Sequence, residues 1–188
     1  MEVQKLELVV GDIKGNREIA YALLVAEQPY FVNQNVIEEE GKLTIESLLT
    51  DEYYSWDKLI TMIDEEKLRH LINIGQLFHA LQDSIYTYNL SNNLVFSRNG
   101  NPLFVFRGVK GQVPPYDVVS LDEFTVNFKA MIVSLLDKKT SYEKLIEGQS
   151  PFYKGKLFCE TIMKAENLDE IISLLEEKYL EEREQNKE

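Results

Sequence analysis

The sequence predicts an α+β protein with a small β-rich lobe over about residues 1–54 and a larger helical lobe over about residues 55–188. Strand-like runs separated by glycine-containing turns occupy the first part of the chain. From Tyr54 onward, apolar residues recur at the three- and four-residue spacing of helices. One clear β-hairpin pattern, residues 89–108, interrupts the helical part. No linker-like segment separates the lobes, so we expect a single domain.

The first lobe is predicted to contain three strands and one helix: strands over 5–10, 30–37 and 43–49, and a helix over about 17–27. Asn16 is expected to cap the helix. Its predicted apolar face consists of Ile19, Ala20, Leu23, Leu24 and Ala26. Gly41 allows the unusual backbone angle of the turn between the last two strands. The turn from Gly11 to Gly15 matches neither the P-loop nor the dinucleotide-binding fingerprint.

The second lobe is predicted to contain six helices: 55–62, 65–86, 121–137, 141–147, 154–164 and 168–184. N-cap candidates precede four of them: Asp64, Ser120, Thr140 and Asn167. Gly75 lies inside the long second helix, and a close neighbouring backbone would explain it. His70 and His79 face opposite sides of that helix and therefore cannot share a metal ion.

The hairpin pattern of residues 89–108 contains Asn99-Gly100, which predicts a two-residue turn with positive φ angles. Both faces of its strands are apolar, so we expect it to be covered on both sides. No Asp or Glu occurs between Ser84 and Tyr116, whereas Arg98, Arg107 and Lys110 do. Two interpretations stay open. Either a buried hairpin excludes carboxylates because their desolvation is costly, or acidic catalytic groups have been lost from a site.

Length and composition restrict the class of protein. A chain of 188 residues is long enough for a substantial core. Its formal net charge of −12 argues against nucleic acid as a partner, because phosphate binding needs a basic surface. The single cysteine, Cys159, excludes an internal disulfide. No apolar run approaches the roughly 20 residues that span a bilayer.

The order of elements resembles a protein kinase reduced to its frame. Asn89-Leu90 would lie at the catalytic loop and Phe106-Arg107-Gly108 at the metal-binding Asp-Phe-Gly motif. Phosphoryl transfer needs a carboxylate base and acidic or amide metal ligands. The base position holds Asn89, or Tyr88 if the loop is counted strictly, and Phe106 replaces the metal-binding Asp. The degenerate kinase positions are therefore Asn89, Asn93, Phe106, Arg107 and Gly108.

Four segments carry a more specific resemblance: EKLRHLINI (66–74), NNLVFSRNGNPLFVFRG (92–108), NFKAMIVSLLDKKTSYEKLIEG (127–148) and KGKLFCETIMKAENLDEIISLLEEKY (154–179). In these segments the sequence resembles the EssB/YukC family, membrane components of bacterial type VII secretion. The resemblance implies a cytosolic pseudokinase-like domain followed by a single membrane-spanning helix beyond residue 188. It also implies a scaffold that binds other secretion components and supports export of small WXG100-type substrates. The missing acids at Asn89 and Phe106 and the lack of a glycine-rich loop predict that the domain binds no nucleotide, metal or other cofactor.

Three functions are compatible with these patterns. The missing acids favour a non-enzymatic interaction domain over a cryptic nucleotide-binding or phosphotransferase enzyme. The third is a regulatory module whose last helix pairs with a partner helix. Arg98 and Lys110 are the candidate partner-binding residues, because they lie in the one locally basic window of an acidic chain. Arg107 is alternatively expected to be a buried cation with an acidic partner, and a homodimer of the full-length protein is left open.

Overall fold

The computed structural model describes residues 2–90, 93–137, 146 and 157–187. They fall into two compact units, which comprise residues 1–56 with 80–119 and residues 57–79 with 120–188. The predicted division at about residue 54 differs from this one, because the hairpin region belongs to the first unit. No described helix combines the length and the apolar character needed to cross a membrane.

The first unit contains one main sheet of three antiparallel strands in the order β1-β3-β2. The strands are β1 (Glu2–Val9), β2 (Gln34–Glu39) and β3 (Lys42–Leu49), and helix α1 (Arg17–Val25) packs against β2. Glu40 and Gly41 both have positive φ, 49° and 80°, so the β2–β3 connection is a two-residue turn. The side chain of Asn16 accepts a hydrogen bond from Ile19 N–H, which confirms the predicted cap.

Two predictions for this unit are wrong in detail. The predicted strand over 30–37 begins only at Gln34, because the preceding residues run beside the hairpin instead. Val32 N–H donates to the Phe104 carbonyl at 2.9 Å, and Phe104 N–H donates to Tyr30 at 3.1 Å. On α1 the buried residues are Ala20 and Leu24, whereas Ile19 is 56% exposed. The sheet therefore covers a narrower and rotated face of the helix.

The hairpin consists of β6 (Leu94–Phe96) and β7 (Pro102–Phe104), and β6 also pairs with β4 (Tyr54–Ser55). Val95 and Phe96 are both buried although they face opposite sides, so both faces are covered, as predicted. The turn differs from the prediction. Gly100 N–H bonds Ser97 O, Ser97 N–H bonds Asn101 O, and among the turn residues only Gly100 has positive φ. This is a three-residue loop with a left-handed glycine.

The described helices of the second unit begin with α2 (Trp56–Ile60), which starts at the boundary, and α3 (Asp64–Leu81). They continue with α4 (Leu121–Leu136), α5 (Leu157–Lys164) and α6 (Leu168–Gln185). The caps at Ser120 and Asn167 are confirmed, since their side chains accept from Glu123 and Glu170 N–H. The predicted helix over 141–147 and its cap at Thr140 lie outside the described residues, apart from Ile146.

Packing inside this unit explains Gly75. A Cβ there would lie 2.8 Å from the Ile172 side chain and 3.3 Å from Phe128, so the close neighbours are side chains rather than the expected backbone. The helix ends at Leu81, earlier than predicted, because Tyr86 and Thr87 form a strand. His70 is fully buried and His79 pairs with Asp169 at 2.7 Å.

Candidate functional site

The residues that the kinase resemblance indicates, Asn89, Asn93, Phe106, Arg107 and Gly108, lie around two paired segments of the first unit. Strand β5 (Tyr86–Thr87) pairs with β8 (Gly108–Val109), and the hairpin β6–β7 lies between them in sequence. The connection from β5 to β6 therefore contacts the connection from β7 to β8. By the kinase resemblance, the first connection would carry the catalytic base and the second would carry the metal-binding Asp. The structure thus brings together Asn93 and Phe106, which are distant in sequence.

Asn93 is hydrogen-bonded to the backbone of Phe106 through both polar atoms of its side chain. Its Oδ1 accepts from Phe106 N–H at 2.9 Å, and its Nδ2 donates to Phe106 O at 3.0 Å. The Asn93 carbonyl also accepts from Val105 N–H at 2.8 Å. The residue is 5% exposed. Its amide is therefore occupied in joining the two connections, and we call these contacts the Asn93–Phe106 lock.

Arg107 is directed into the first unit and is only 2% exposed. Its Nη2 donates to the carbonyls of Leu23 and Leu24 at 3.0 Å each, and also to Ala26. These carbonyls belong to the last turn of α1, where helical partners are missing and the helix dipole favours a cation. Arg107 is buried, as expected, but the partners of its Nη2 are carbonyl groups at the end of α1 and not the acidic side chain that was expected.

Two aromatic rings complete the surroundings of Arg107. The guanidinium carbon lies 4.6 Å from the ring centroid of Tyr86 and 5.3 Å from that of Phe31. Burial lowers the pKa of Arg107 from its usual value, although an arginine remains protonated throughout the physiological range. The cation is enclosed and is not offered to a partner, so Arg107 is a structural residue.

In the second unit, basic side chains likewise donate to carbonyl groups at the carboxyl ends of two helices. Lys129 Nζ donates to Met163 O at 3.1 Å and to Ala165 O, at the end of α5. Lys67, which is 3% exposed, donates to Leu135 O at 3.3 Å, at the end of α4. Basic side chains from other elements therefore close the carboxyl ends of three helices.

Gly108 is fixed by a lack of space rather than by metal chemistry. A Cβ on Gly108 would lie 2.6 Å from Thr87 Oγ1 and 2.6 Å from the Val113 carbonyl, and would also clash with the Pro114 carbonyl. Thr87 Oγ1 in turn donates to Pro115 O. The loop after β8 is thereby packed over the β5–β8 pair, and only glycine fits beneath it.

The same loop is attached to the turn that precedes α1. Lys14 N–H donates to Gln112 O at 2.8 Å, and Tyr116 donates its hydroxyl proton to Asp12 O. The Lys14 ammonium lies 4.3 Å from the Tyr116 ring centroid. These contacts were not predicted, because nothing local in either segment indicates its distant partner.

The candidate base positions do not provide a base. Tyr88 is 2% exposed and stacks on Phe104, with ring centroids 4.1 Å apart. Burial raises the pKa of Tyr88 well above its usual range, so the phenol stays neutral. Asn89 is exposed, and its amide has no proton-accepting role at neutral pH.

The predicted partner-binding residues are both on the surface. Arg98 lies in the hairpin turn, and Lys110 directly follows β8, with its N–H bonded to Ile85 O at 2.8 Å. Neither side chain forms an ion pair with a described residue. They belong to different strand pairs, so they are two exposed cations rather than one demonstrated site.

A model of the family described as "WXG100 protein secretion system (Wss), protein YukC" matches residues 9–188. The chain belongs to this YukC family. It is 30% identical over 174 residues to the type VII secretion system protein EssB of Staphylococcus aureus strain USA300, covering 92% of the chain but 39% of that protein. The chain thus spans about two fifths of the length of these curated relatives.

Solved structures agree with the membership in the YukC family. The crystal structure of the S. aureus EssB cytoplasmic fragment matches with a TM-score of 0.83 and 29% identity, over 93% of this chain and 99% of that chain. The EssB cytoplasmic fragment of Geobacillus thermodenitrificans matches with a TM-score of 0.82 at 15% identity, over 97% and 87%. The second match shows a common fold only. Both agree with the mixed α and β architecture that the sequence predicts.

Proposed function

We propose that this chain is a non-catalytic, cytosolic docking domain of a type VII secretion component. Membership in the YukC family supports the secretion role, and the S. aureus relative bears the name of a type VII secretion protein. Its matching crystallised part is described as cytoplasmic. In this proposal a single-pass helix beyond residue 188 holds the domain at the membrane. Its partners are other secretion components and small WXG100-type substrates whose export it supports.

The domain has a reduced kinase-like fold in this proposal. Tyr88 and Asn93 are five positions apart, as are the Asp and the Asn of the kinase catalytic-loop motif. The β5–β8 pairing supports this proposal, because it joins Thr87, next to that loop, to Gly108 of Phe106-Arg107-Gly108, the segment proposed to correspond to the second acid of a kinase. In this proposal the frame of a phosphoryl-transfer site is retained while its chemical groups are replaced.

The Asn93–Phe106 lock is the observation that carries the non-catalytic assignment. A metal ion between these positions would need their oxygen atoms, but the Asn93 amide is already bonded to the backbone at both ends. Phe106 and Tyr88 supply no carboxylate. In this proposal, hydrogen bonds that stabilise the fold take the place of metal binding at these residues.

Packing between β3 and the hairpin also opposes nucleotide binding. Ser47 on β3 donates its hydroxyl to Val105 O. Beside this bond, four buried residues form a continuous apolar cluster: Val32, Leu49, Val95 and Val105. A planar base entering between β3 and the hairpin would have to break the cluster and this bond. The free energy lost by breaking the cluster and the hydrogen bond exceeds the free energy gained by binding a weak ligand.

The docking role is tested by reversing two charges in the full-length protein, Arg98→Glu together with Lys110→Glu. Both side chains are exposed, so the melting temperature should hardly change. Export of small substrates, or co-purification of other secretion components, should fall because the charges orient the partner.

The matched control is Lys42→Glu with Lys164→Glu, which changes the net charge equally at two other exposed positions. The control should retain export. Normal export and co-purification in the Arg98/Lys110 variant would exclude this pair as the docking residues.

A further inference from the structure

Three buried polar side chains of the first unit carry hydrogen-bonding atoms that have no partner among the described residues. These atoms are both polar atoms of the Gln34 amide, the hydroxyl of Tyr88, and Nε and Nη1 of Arg107. Each of the three residues is 3% exposed or less, so bulk water does not serve as the partner. Buried polar groups of native proteins are nearly always hydrogen-bonded, to protein, to ordered water or to an ion. The three residues therefore indicate a binding site for a small ligand.

The ring of Phe31 lies next to both Arg107 and Tyr88. Its centroid is 5.3 Å from the guanidinium carbon of Arg107 and 6.4 Å from the ring centroid of Tyr88. Tyr86 presents its ring to the same guanidinium, while its hydroxyl donates to Leu23 O at 3.0 Å. Arg107 and Tyr88 thus belong to one buried aromatic cluster of the first unit.

Gln34 lies on the face of the main sheet that contacts the segment before Arg107. It is the register partner of Ser47, so the two side chains share one face of the sheet. The hydroxyl of Ser47 donates to Val105 O, two residues before Arg107. Gln34 also follows Phe31 by only three residues. The sheet register and the aromatic cluster therefore place all three polar side chains in the same part of the core.

The chemistry of these atoms favours an anion as the ligand. Most of them are donors: Nε2 of Gln34, the hydroxyl of Tyr88, and Nε and both hydrogens of Nη1 of Arg107. Burial raises the pKa of Tyr88, so its hydroxyl keeps the proton that it can donate. Arg107 forms no ion pair with a described residue, so its positive charge is buried without a counter-ion.

An anion fits this donor set better than water does. A water molecule must donate its own two hydrogens, but the only acceptors among these atoms are Gln34 Oε1 and the Tyr88 oxygen. Water also leaves the charge of the guanidinium uncompensated, whereas an anion neutralises it and accepts charge-assisted hydrogen bonds.

The neighbouring side chains limit the size of the ligand. Leu24, Phe31, Phe104 and Val105 are all buried around the three polar residues. A phosphate ester or a larger carboxylic acid would have to separate these side chains, which protein interiors resist because they are closely packed. A monatomic ion needs little more space than a water molecule.

We propose that the first unit binds one small monovalent anion, such as chloride, between the Gln34 amide, the Tyr88 hydroxyl and the Nε–Nη1 edge of Arg107. The anion neutralises the same guanidinium whose Nη2 closes the end of α1. It therefore joins α1, the start of β2 and the β7–β8 connection. This ion is structural, and it makes the stability of the first unit depend on the anion concentration, independently of the docking role.

The test compares thermal unfolding of the 188-residue chain in sodium chloride and in sodium gluconate at the same ionic strength. Gluconate is too large for a site in the core, and equal ionic strength keeps the screening of surface charges the same. A site with a Kd of about 10 mM would raise the melting temperature by about 3–5 °C at about 100 mM chloride. An EssB cytoplasmic fragment has been crystallised, so a chain of this extent can be studied alone.

Two variants and two matched controls separate this site from general effects of the salts. Tyr88→Phe and Gln34→Met keep the approximate size of the side chain but remove a donor, so each should lose most of the chloride effect. Tyr30→Phe and Gln4→Met make the same changes at exposed positions and should retain the parent's difference between the two salts.

Crystals grown in sodium bromide locate the ion directly. An anomalous peak should lie within hydrogen-bonding distance of Arg107 Nη1, the Tyr88 hydroxyl and the Gln34 amide. Ordered water without an anomalous signal at this place overturns the proposal. So does a parent chain that melts at the same temperature in both salts, or a chloride effect that Tyr88→Phe and Gln34→Met leave unchanged.

Discussion

Replacing Arg107 with methionine should destabilise the protein by about 3–5 kcal/mol. The substitution keeps an apolar chain of similar length but removes the donor shared by Leu23, Leu24 and Ala26. Each charge-assisted hydrogen bond contributes about 1.5–3 kcal/mol, and an orphaned buried acceptor costs about 1–3 kcal/mol. One nitrogen serves all three acceptors, and removing a buried cation returns desolvation energy. The contributions of the three hydrogen bonds are therefore not simply added. We expect a loss in the range typical of breaking a buried charged pair, about 3–5 kcal/mol.

The assay is urea denaturation followed by circular dichroism, together with hydrogen exchange of the peptide that covers α1. Methionine should lower the midpoint and increase exchange in the last turn of the helix. Arg107→Lys should lie between the parent and Arg107→Met, because a single ammonium keeps the charge but loses the stacked planar fork. Arg98→Met is the surface control and should remain within about 0.5 kcal/mol of the parent. An unchanged midpoint and unchanged exchange in Arg107→Met would refute the helix-closing role.

Two further predictions concern other buried polar groups. Asn93→Asp keeps the shape but places a carboxylate oxygen against Phe106 O in place of the Nδ2 donor, so the free energy of unfolding should fall by about 1–3 kcal/mol. An unchanged free energy of unfolding in Asn93→Asp, measured by urea denaturation, would mean that the Asn93–Phe106 lock does not stabilise the fold. His70 is fully buried and its pKa is lowered, mainly by desolvation. The unfolded chain therefore binds a proton below pH about 6.5 that the folded chain does not, and stability falls from pH 7 towards pH 5. His70→Gln should reduce this slope, and an identical slope in the variant would contradict the reasoning.

Local features of the fold could be predicted from the sequence because their cause lies within a few residues. The caps at Asn16, Ser120 and Asn167 depend on a side chain and an N–H three positions later. The covered hairpin followed from apolar residues on both of its faces. These signals need no knowledge of where the rest of the chain lies.

Long-range partners could not be predicted in the same way. Residues 30–32, which are Tyr, Phe and Val, suit pairing with either β3 or β7, and only the folded chain decides in favour of β7. Arg107 could be seen beside Phe106, but its acceptors lie more than eighty residues earlier in the chain. The exposure of Ile19 depends on which side of a short helix the sheet covers.

At the candidate site, the residue types could be read from the sequence, but their contacts could not. Residue identity alone shows that Tyr88 and Phe106 lack carboxylates. It cannot show that Asn93 bonds both backbone groups of Phe106, because that contact depends on the β5–β8 pairing.

Thermal unfolding with magnesium and ATP tests most directly the proposal that this domain does not bind nucleotide. We expect the same melting temperature with and without millimolar magnesium and ATP, since the Asn93 amide is already hydrogen-bonded and the space beside β3 is already filled by apolar side chains. A ligand at a hundredfold excess over its Kd would add about 2.7 kcal/mol of stability, which is readily detected. A reproducible, magnesium-dependent rise of several degrees would contradict the account.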